Sequence, residues 1–118
     1  MKILLVDDDE DLLELTTKRL EKKGFQVSMA CGYHDALKIF DSEMKIVLSD
    51  LHLGQGKSGI DLVVALRAQG FSDGFFLITG DDPANIDVPA TLKTDSKFKI
   101  ITKPYHFEDL LAKLKEVN

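Results

Sequence analysis

Five short apolar runs, each followed by a stretch of helical periodicity, predict an α/β fold: one five-stranded parallel sheet with helices on both faces. The runs are nearly continuous in Ile, Leu, Val and Phe, the pattern of strands covered on both sides rather than half-exposed. The length, 118 residues, suits a single domain, 1–118.

The first run, residues 3–6, stops at Asp7-Asp8-Asp9-Glu10-Asp11. A helix is expected to start in this acidic cluster, because carboxylates interact favourably with the positive end of the helix dipole. Leu12, Leu13, Thr16 and Leu20 then share one face, and Gly24 is placed to end the helix. Residues 25–30 form a more polar strand, expected at an edge. A helix over about 33–41 presents Ala36, Leu37 and Phe40. The third strand, 46–49, runs into Asp50 and then a glycine-rich loop. Ser58-Gly59-Ile60-Asp61 fits a capping box opening a helix with Leu62, Val63 and Leu66 inward, closed by Gly70.

Residues 75–78 form the fourth strand and end in Thr79-Gly80. Between 81 and 96 one short or broken helix is expected, since Pro83 suits a first turn and Pro89 would interrupt an interior. The fifth strand, 98–101, leads into Thr102-Lys103-Pro104. The last helix, about 106–116, carries Phe107, Leu110, Leu111, Leu114 and Val117. It runs out at Val117-Asn118 with no output domain after it, so the expectation is either action by protein contact or one domain of a larger chain.

Composition narrows the function. Hydrophobic residues at 44% and charged residues at 30% fit a globular chain rather than a disordered one. The net charge of −5 argues against direct nucleic-acid binding as the main role. No apolar run approaches the roughly 20 residues that span a bilayer. The N-terminus is too short and too acidic for a signal peptide, and the lone Cys31 admits no intrachain disulfide. A cytoplasmic location without membrane attachment is expected. Cys31 is expected to serve packing. His34, His52 and His106 lack zinc-ligand spacing. Lys97, Lys99, Lys113 and Lys115 are expected to form a solvated face able to steer an acidic partner.

In a parallel sheet, the carboxyl ends of the strands share one edge, where ligands bind. That edge would gather Asp7 and Asp8, Asp50, Thr79 and Lys103. Three carboxylates brought together repel one another unless a cation neutralises them. Oxygen-only donors favour Mg²⁺. A carboxylate beside Mg²⁺ can act as a nucleophile and form an aspartyl phosphate, with Lys103 and the Thr79 hydroxyl holding phosphoryl oxygens.

Asp7-Asp8, Asp50, Thr79-Gly80 and Lys103-Pro104, in this order and spacing, resemble the receiver domain of two-component response regulators along the whole chain. The resemblance implies a flavodoxin-like, doubly wound sheet of order 2-1-3-4-5 with five helices, the fourth short or irregular here. It implies that Asp50 is the phosphoacceptor for a sensor histidine kinase or phosphotransfer protein. Mg²⁺ would be held by Asp8, Asp50 and the backbone carbonyl of His52, with Asp7 acting mostly through water. Thr79 would move toward the phosphoryl group and Lys103 would pair with it. Gly80 would leave the site open, and the Lys103-Pro104 bond would be cis. His52 and Asp81 occupy the positions that tune phosphoryl lifetime in the family.

By the same resemblance the domain would catalyse only its own phosphorylation and dephosphorylation, and would switch a surface for a downstream protein target, mainly the fourth helix, fifth strand and fifth helix. Two features depart from the family. Ile100 stands where an aromatic residue usually reports the threonine's movement, and Asp82-Pro83 and Pro89 flank a short segment where a well-formed fourth helix is common. A smaller oddity is the loop after Asp50, about one residue longer before Gly59. Ile100 and the irregular 81–96 region support an alternative, a phosphate-independent protein-binding module of the same fold. A phosphohydrolase fits less well, because His52 stands where a second acid would be needed and there is no cap domain. A flavin-binding module fits less still, because the first loop is acidic.

Overall fold

A computed structural model describes residues 1–117. The elements, in chain order, are β1 (Lys2–Val6), α1 (Glu10–Glu21), β2 (Gln26–Ala30), α2 (Tyr33–Ile39), β3 (Ile46–Asp50), α3 (Gly59–Ala68), β4 (Gly74–Thr79), a 3₁₀ turn (Pro83–Asn85), α4 (Ala90–Lys93), β5 (Phe98–Thr102) and α5 (Phe107–Lys115). All strand pairs are parallel, in the order β2-β1-β3-β4-β5. The flavodoxin-like order is therefore present, with β2 at an edge as its polar sequence predicts. The expected end at Asn118 lies outside the described residues.

Strand alternation divides the core into two layers. Leu4, Val6, Val47, Phe75, Leu77 and Phe98 face one side, where α2, α3 and α4 pack. Ile3, Leu5, Ile46, Leu48, Phe76, Ile78 and Ile101 face the other, beneath α1 and α5. The central strands β1, β3 and β4 are buried on both faces, which is why their sequences are continuous apolar runs.

Helix ends follow local chemistry. The Asp9 carboxylate accepts the Leu12 N–H at 3.2 Å and starts α1. Gly24, at φ +94°, allows the Phe25 N–H to reach back to the Leu20 carbonyl. The capping box at α3 is complete in both directions between Ser58 and Asp61.

Three readings need correction or refinement. On α1 the buried stripe is Leu13, Thr17 and Leu20, spaced i, i+4, i+7. Leu12 and Thr16 form a second stripe about 100° away and border a small cleft beside Asp7, Asp50 and Lys103. Cys31 is exposed rather than packed, because it has already left the edge strand. In the fourth crossover, Pro89 does not interrupt a helix but immediately precedes one, and the expected broken helix is a 3₁₀ turn plus a four-residue α4.

Candidate functional site

β1 and β3 lie side by side, with Val6 opposite Ser49. The residues just beyond them, Asp7 and Asp8, therefore meet Asp50 at the end of β3. One carboxylate oxygen from each of Asp7, Asp8 and Asp50 lies within 4.8 Å of the others. The third acid of the run, Asp9, is spent on capping α1. Its N–H also donates to Asp7 Oδ1 at 3.0 Å and fixes that carboxylate. Asp50 Oδ1 accepts the Leu51 N–H at 3.0 Å and sits 3.7 Å from Lys103 Nζ. The buried Ser49 hydroxyl donates to the Asp50 carbonyl at 2.9 Å.

Alternation also sorts the functional groups. Asp50 continues the parity of Ile46 and Leu48, Lys103 that of Ile101, and Asp7 that of Ile3 and Leu5, all toward α1 and α5. Thr79 continues the parity of Phe75 and Leu77, toward α3 and α4. Thr79 is buried, and its hydroxyl accepts the Asp81 N–H at 3.0 Å. The Thr79 carbonyl accepts the Lys103 N–H at 2.7 Å, which ties the β4 and β5 ends together. The Lys103-Pro104 bond is cis, as expected.

The electrostatics suit a hard cation. Burial, more than any other cause, pushes the Asp7 carboxyl above the usual carboxylate range. The neighbouring Asp50 and Asp8 charges add to this, while the Asp9 N–H and Lys103 oppose it. A divalent ion held only by oxygens would remove that penalty, so the donor set fits Mg²⁺. Among the described residues, these three aspartates are the only group of three or more acidic, histidine or cysteine side chains close enough together to share a metal ion. No described helix is long and apolar enough to cross a membrane.

The sequence matches the family described as response regulator receiver domain over residues 3–115. This chain belongs to that family. The receiver is 30% identical to the transcriptional regulatory protein CpxR of Escherichia coli and 32% identical to the sensory transduction protein RegX3 of Mycobacterium tuberculosis. Each comparison covers 98% of this chain. It covers 48% and 49% of those proteins respectively, so the chain spans about half the length of the curated relatives it matches. Among solved structures, the response regulator TrrA of Thermotoga maritima, in complex with Mg²⁺-BeF, superposes with a TM-score of 0.82. Its sequence identity is 24%, over 99% of this chain and 98% of that one.

Several contacts around the receiver's site are not apparent from sequence. His52 Nε2 lies 2.9 Å from Asp81 Oδ2, so the two candidate tuning residues touch each other. Gly59 is needed for space as well as for the helix start. An added Cβ would collide with Leu77 Cδ1 and lie 2.6 Å from the Asp50 carbonyl oxygen. At Gly80 an added Cβ would meet nothing within 4 Å, as an open approach requires. Tyr105 lines the cleft beside Asp50 and Lys103, and burial pushes its phenol pKa up. Ile100 is half-buried against the α3 and α4 layer. The one available hint was the turn after Lys103-Pro104, which returns the chain to the site at Tyr105.

Proposed function

We propose that Asp50 accepts a phosphoryl group from the phosphohistidine of a sensor histidine kinase or phosphotransfer protein. The convergence of Asp7, Asp8 and Asp50 within 4.8 Å, with Lys103 at 3.7 Å, carries this reading. Mg²⁺ would be held by Asp8, Asp50 and the His52 carbonyl, with Asp7 mainly through water, and when bound it supplies positive charge to the phosphoryl oxygens. An Asp50 carboxylate oxygen attacks phosphorus as the donor's P–N bond breaks. Oδ1 is engaged by the Leu51 N–H and Lys103, so Oδ2 is the oxygen without a hydrogen bond among the described residues. The Lys103 ammonium pairs with one phosphoryl oxygen, and the Thr79 hydroxyl donates to another. The domain catalyses only its own phosphorylation and dephosphorylation.

The new charge, about −1.5 to −2, then biases a surface that meets a downstream protein. Thr79 points toward the α3 and α4 layer, which puts the fourth crossover, Ile100 and β5 in line to respond. The setting is cytoplasmic. One relative is named a transcriptional regulator, so net charge alone does not exclude a role in transcription.

Incubation with acetyl phosphate and Mg²⁺ tests the reading by mass spectrometry. Wild type should gain the mass of one phosphoryl group, a gain that prior chelation of the metal prevents, and Asp50→Asn should gain none. No gain in wild type would favour the phosphate-independent binding module, the reading that Ile100 supports.

A further inference from the structure

A second concave site lies at the other end of the sheet, where the entry to β5 passes beneath the end of α5. On the α1 and α5 side of the sheet, β1 contributes Ile3 and Leu5, β3 contributes Ile46 and Leu48, and β4 contributes Phe76 and Ile78. The edge strand β5 departs from this pattern. Ile101 joins the layer, but Lys99 and Lys97, two and four positions earlier, share its parity and are exposed. Phe98 and Ile100 face the opposite layer. Two of the side chains that this edge turns toward α5 are therefore ammonium groups.

The end of α5 does not close over them. A cavity of about 400 Å³ remains, within the size range of small-molecule sites. Its floor is apolar. Phe76, 3% exposed, lies opposite Lys99 in the ladder, and Val117 joins it from the end of α5. Gly74 withholds a side chain there, since an added Cβ would lie 3.0 and 3.1 Å from the Val117 methyls and 3.4 Å from Phe76 Cε2. The walls are cationic. Lys97, Lys99 and Lys113 line the cavity, and Glu116 is the one carboxylate among the described lining residues. This excess of positive charge stands out in a chain of net charge −5.

Ordinary structural roles account for part of the cluster. Lys97 Nζ lies 3.3 Å from Asp73 Oδ1. Lys113 falls in the last turn of α5, where a cation suits the helix dipole. Neither role applies to Lys99, which has no ion pair among the described residues. An inward-pointing charge can guard an edge strand against pairing with another chain. Guarding, however, requires neither a cavity nor an apolar floor.

We propose that this cavity binds a small phosphate monoester with an apolar body. The body rests on Phe76 and Val117, and the phosphate lies between Lys99 and Lys113. A head group with close to two charges and three acceptor oxygens suits two ammonium groups better than a carboxylate does. Lys99 is four residues before Lys103, about 13 Å along the strand. The site is thus separate from the aspartate cluster and does not rest on the phosphoacceptor reading.

Amide NMR of the metal-free protein, titrated with phenyl phosphate, tests the proposal. Without a divalent ion the aspartate cluster repels this probe. Saturable shifts should centre on 74–76, 96–99 and 113–117 and leave 50–52 and 79–81 in place. Inorganic phosphate, which lacks the apolar body, and benzyl alcohol, which lacks the charge, should each bind about fivefold more weakly or worse. Benzoate, with a single charge, should also bind more weakly. Lys99→Gln and Lys113→Gln should each weaken phenyl phosphate by about two- to fivefold, the scale of an exposed ion pair, and the double variant by about tenfold. Glu116→Gln should tighten it. Lys115→Gln, the same charge change on α5 outside the cavity, should have little effect. No saturable shift at these residues, or equal weakening by Lys115→Gln, overturns the site and leaves the lysines as an edge guard. Inorganic phosphate as tight as phenyl phosphate overturns the role of the apolar floor, and benzoate as tight overturns the choice of phosphate.

Discussion

Replacing Asp7 by Asn should stabilise the receiver when no divalent ion is present. Two unit charges 4.8 Å apart, the limit of the Asp7, Asp8 and Asp50 cluster, repel by about 1 kcal/mol in water and about 3.5 kcal/mol at an effective dielectric near 20. The site opens to solvent at Asp8, so the screened end of that range applies. Lys103 and the Asp9 N–H offset part of the repulsion, but the Asp7 carboxyl is still pushed above its usual range, so the net effect on its charged form is unfavourable. The folded pKa is the higher one. Asp7 therefore favours folding at pH below the ordinary carboxylate range, and that contribution is lost as pH rises through its folded pKa. Asn keeps the shape and can still accept the Asp9 N–H, now without charge. A gain of about 1 kcal/mol at neutral pH follows, or about 4 °C in Tm for a domain of this size. Circular-dichroism melts in a chelator measure it. The gain should shrink as pH falls toward the carboxylate range. In saturating Mg²⁺ the wild type should gain the larger increment, because ligand binding to the folded state stabilises in proportion to affinity. A lower Tm for Asp7→Asn in the chelator, or equal Mg²⁺ increments for both proteins, would refute the assignment of the cluster as a cation site.

Gly59→Ala should cost about 2 kcal/mol or more, the scale of overpacking a tight contact, because both the β3 carbonyl and Leu77 stand in the way. Gly80→Ala should leave Tm within about 1 °C; similar melts for the two variants would show that α3 does not seat against Asp50 as described. His52→Ala and Asp81→Ala should each change the decay rate of phosphorylated Asp50 more than the Mg²⁺ affinity. Because the side chains touch, the double variant should decay as either single one does. Independent, multiplying effects in a decay time course would break that link.

How much of the site could be read from residues alone depends on what kind of contact each group makes. Asp7, Asp8, Asp50, Thr79 and Lys103 were legible because each follows an apolar run. A parallel sheet places all such ends on one edge whatever their separation in sequence. Cap residues were legible for a similar reason, since Ser58 and Asp61 act within one turn. The His52–Asp81 contact spans 29 residues and the Arg67–Asp95 contact 28, between loops whose paths no periodicity reports. The same limit explains α1: the pattern identified a helix and an apolar side, but neighbouring stripes differ by one residue's rotation. Only the packing of α1 in the folded chain decides that Thr17 is buried and that Leu12 borders the cleft.

The shortened fourth crossover was legible as an anomaly, from Pro83 and Pro89, yet its consequence was not. In sequence it reads as a damaged helix. In the fold it leaves Ile100 and Val88 bordering an open cleft, with Thr79 near one end of the segment. Ile100 is half-buried against the α3 and α4 layer, and the Thr79 hydroxyl holds the backbone N–H of Asp81. Under the proposed function, movement of Thr79 would therefore reach the crossover through the Asp81 backbone, whichever residue stands at position 100.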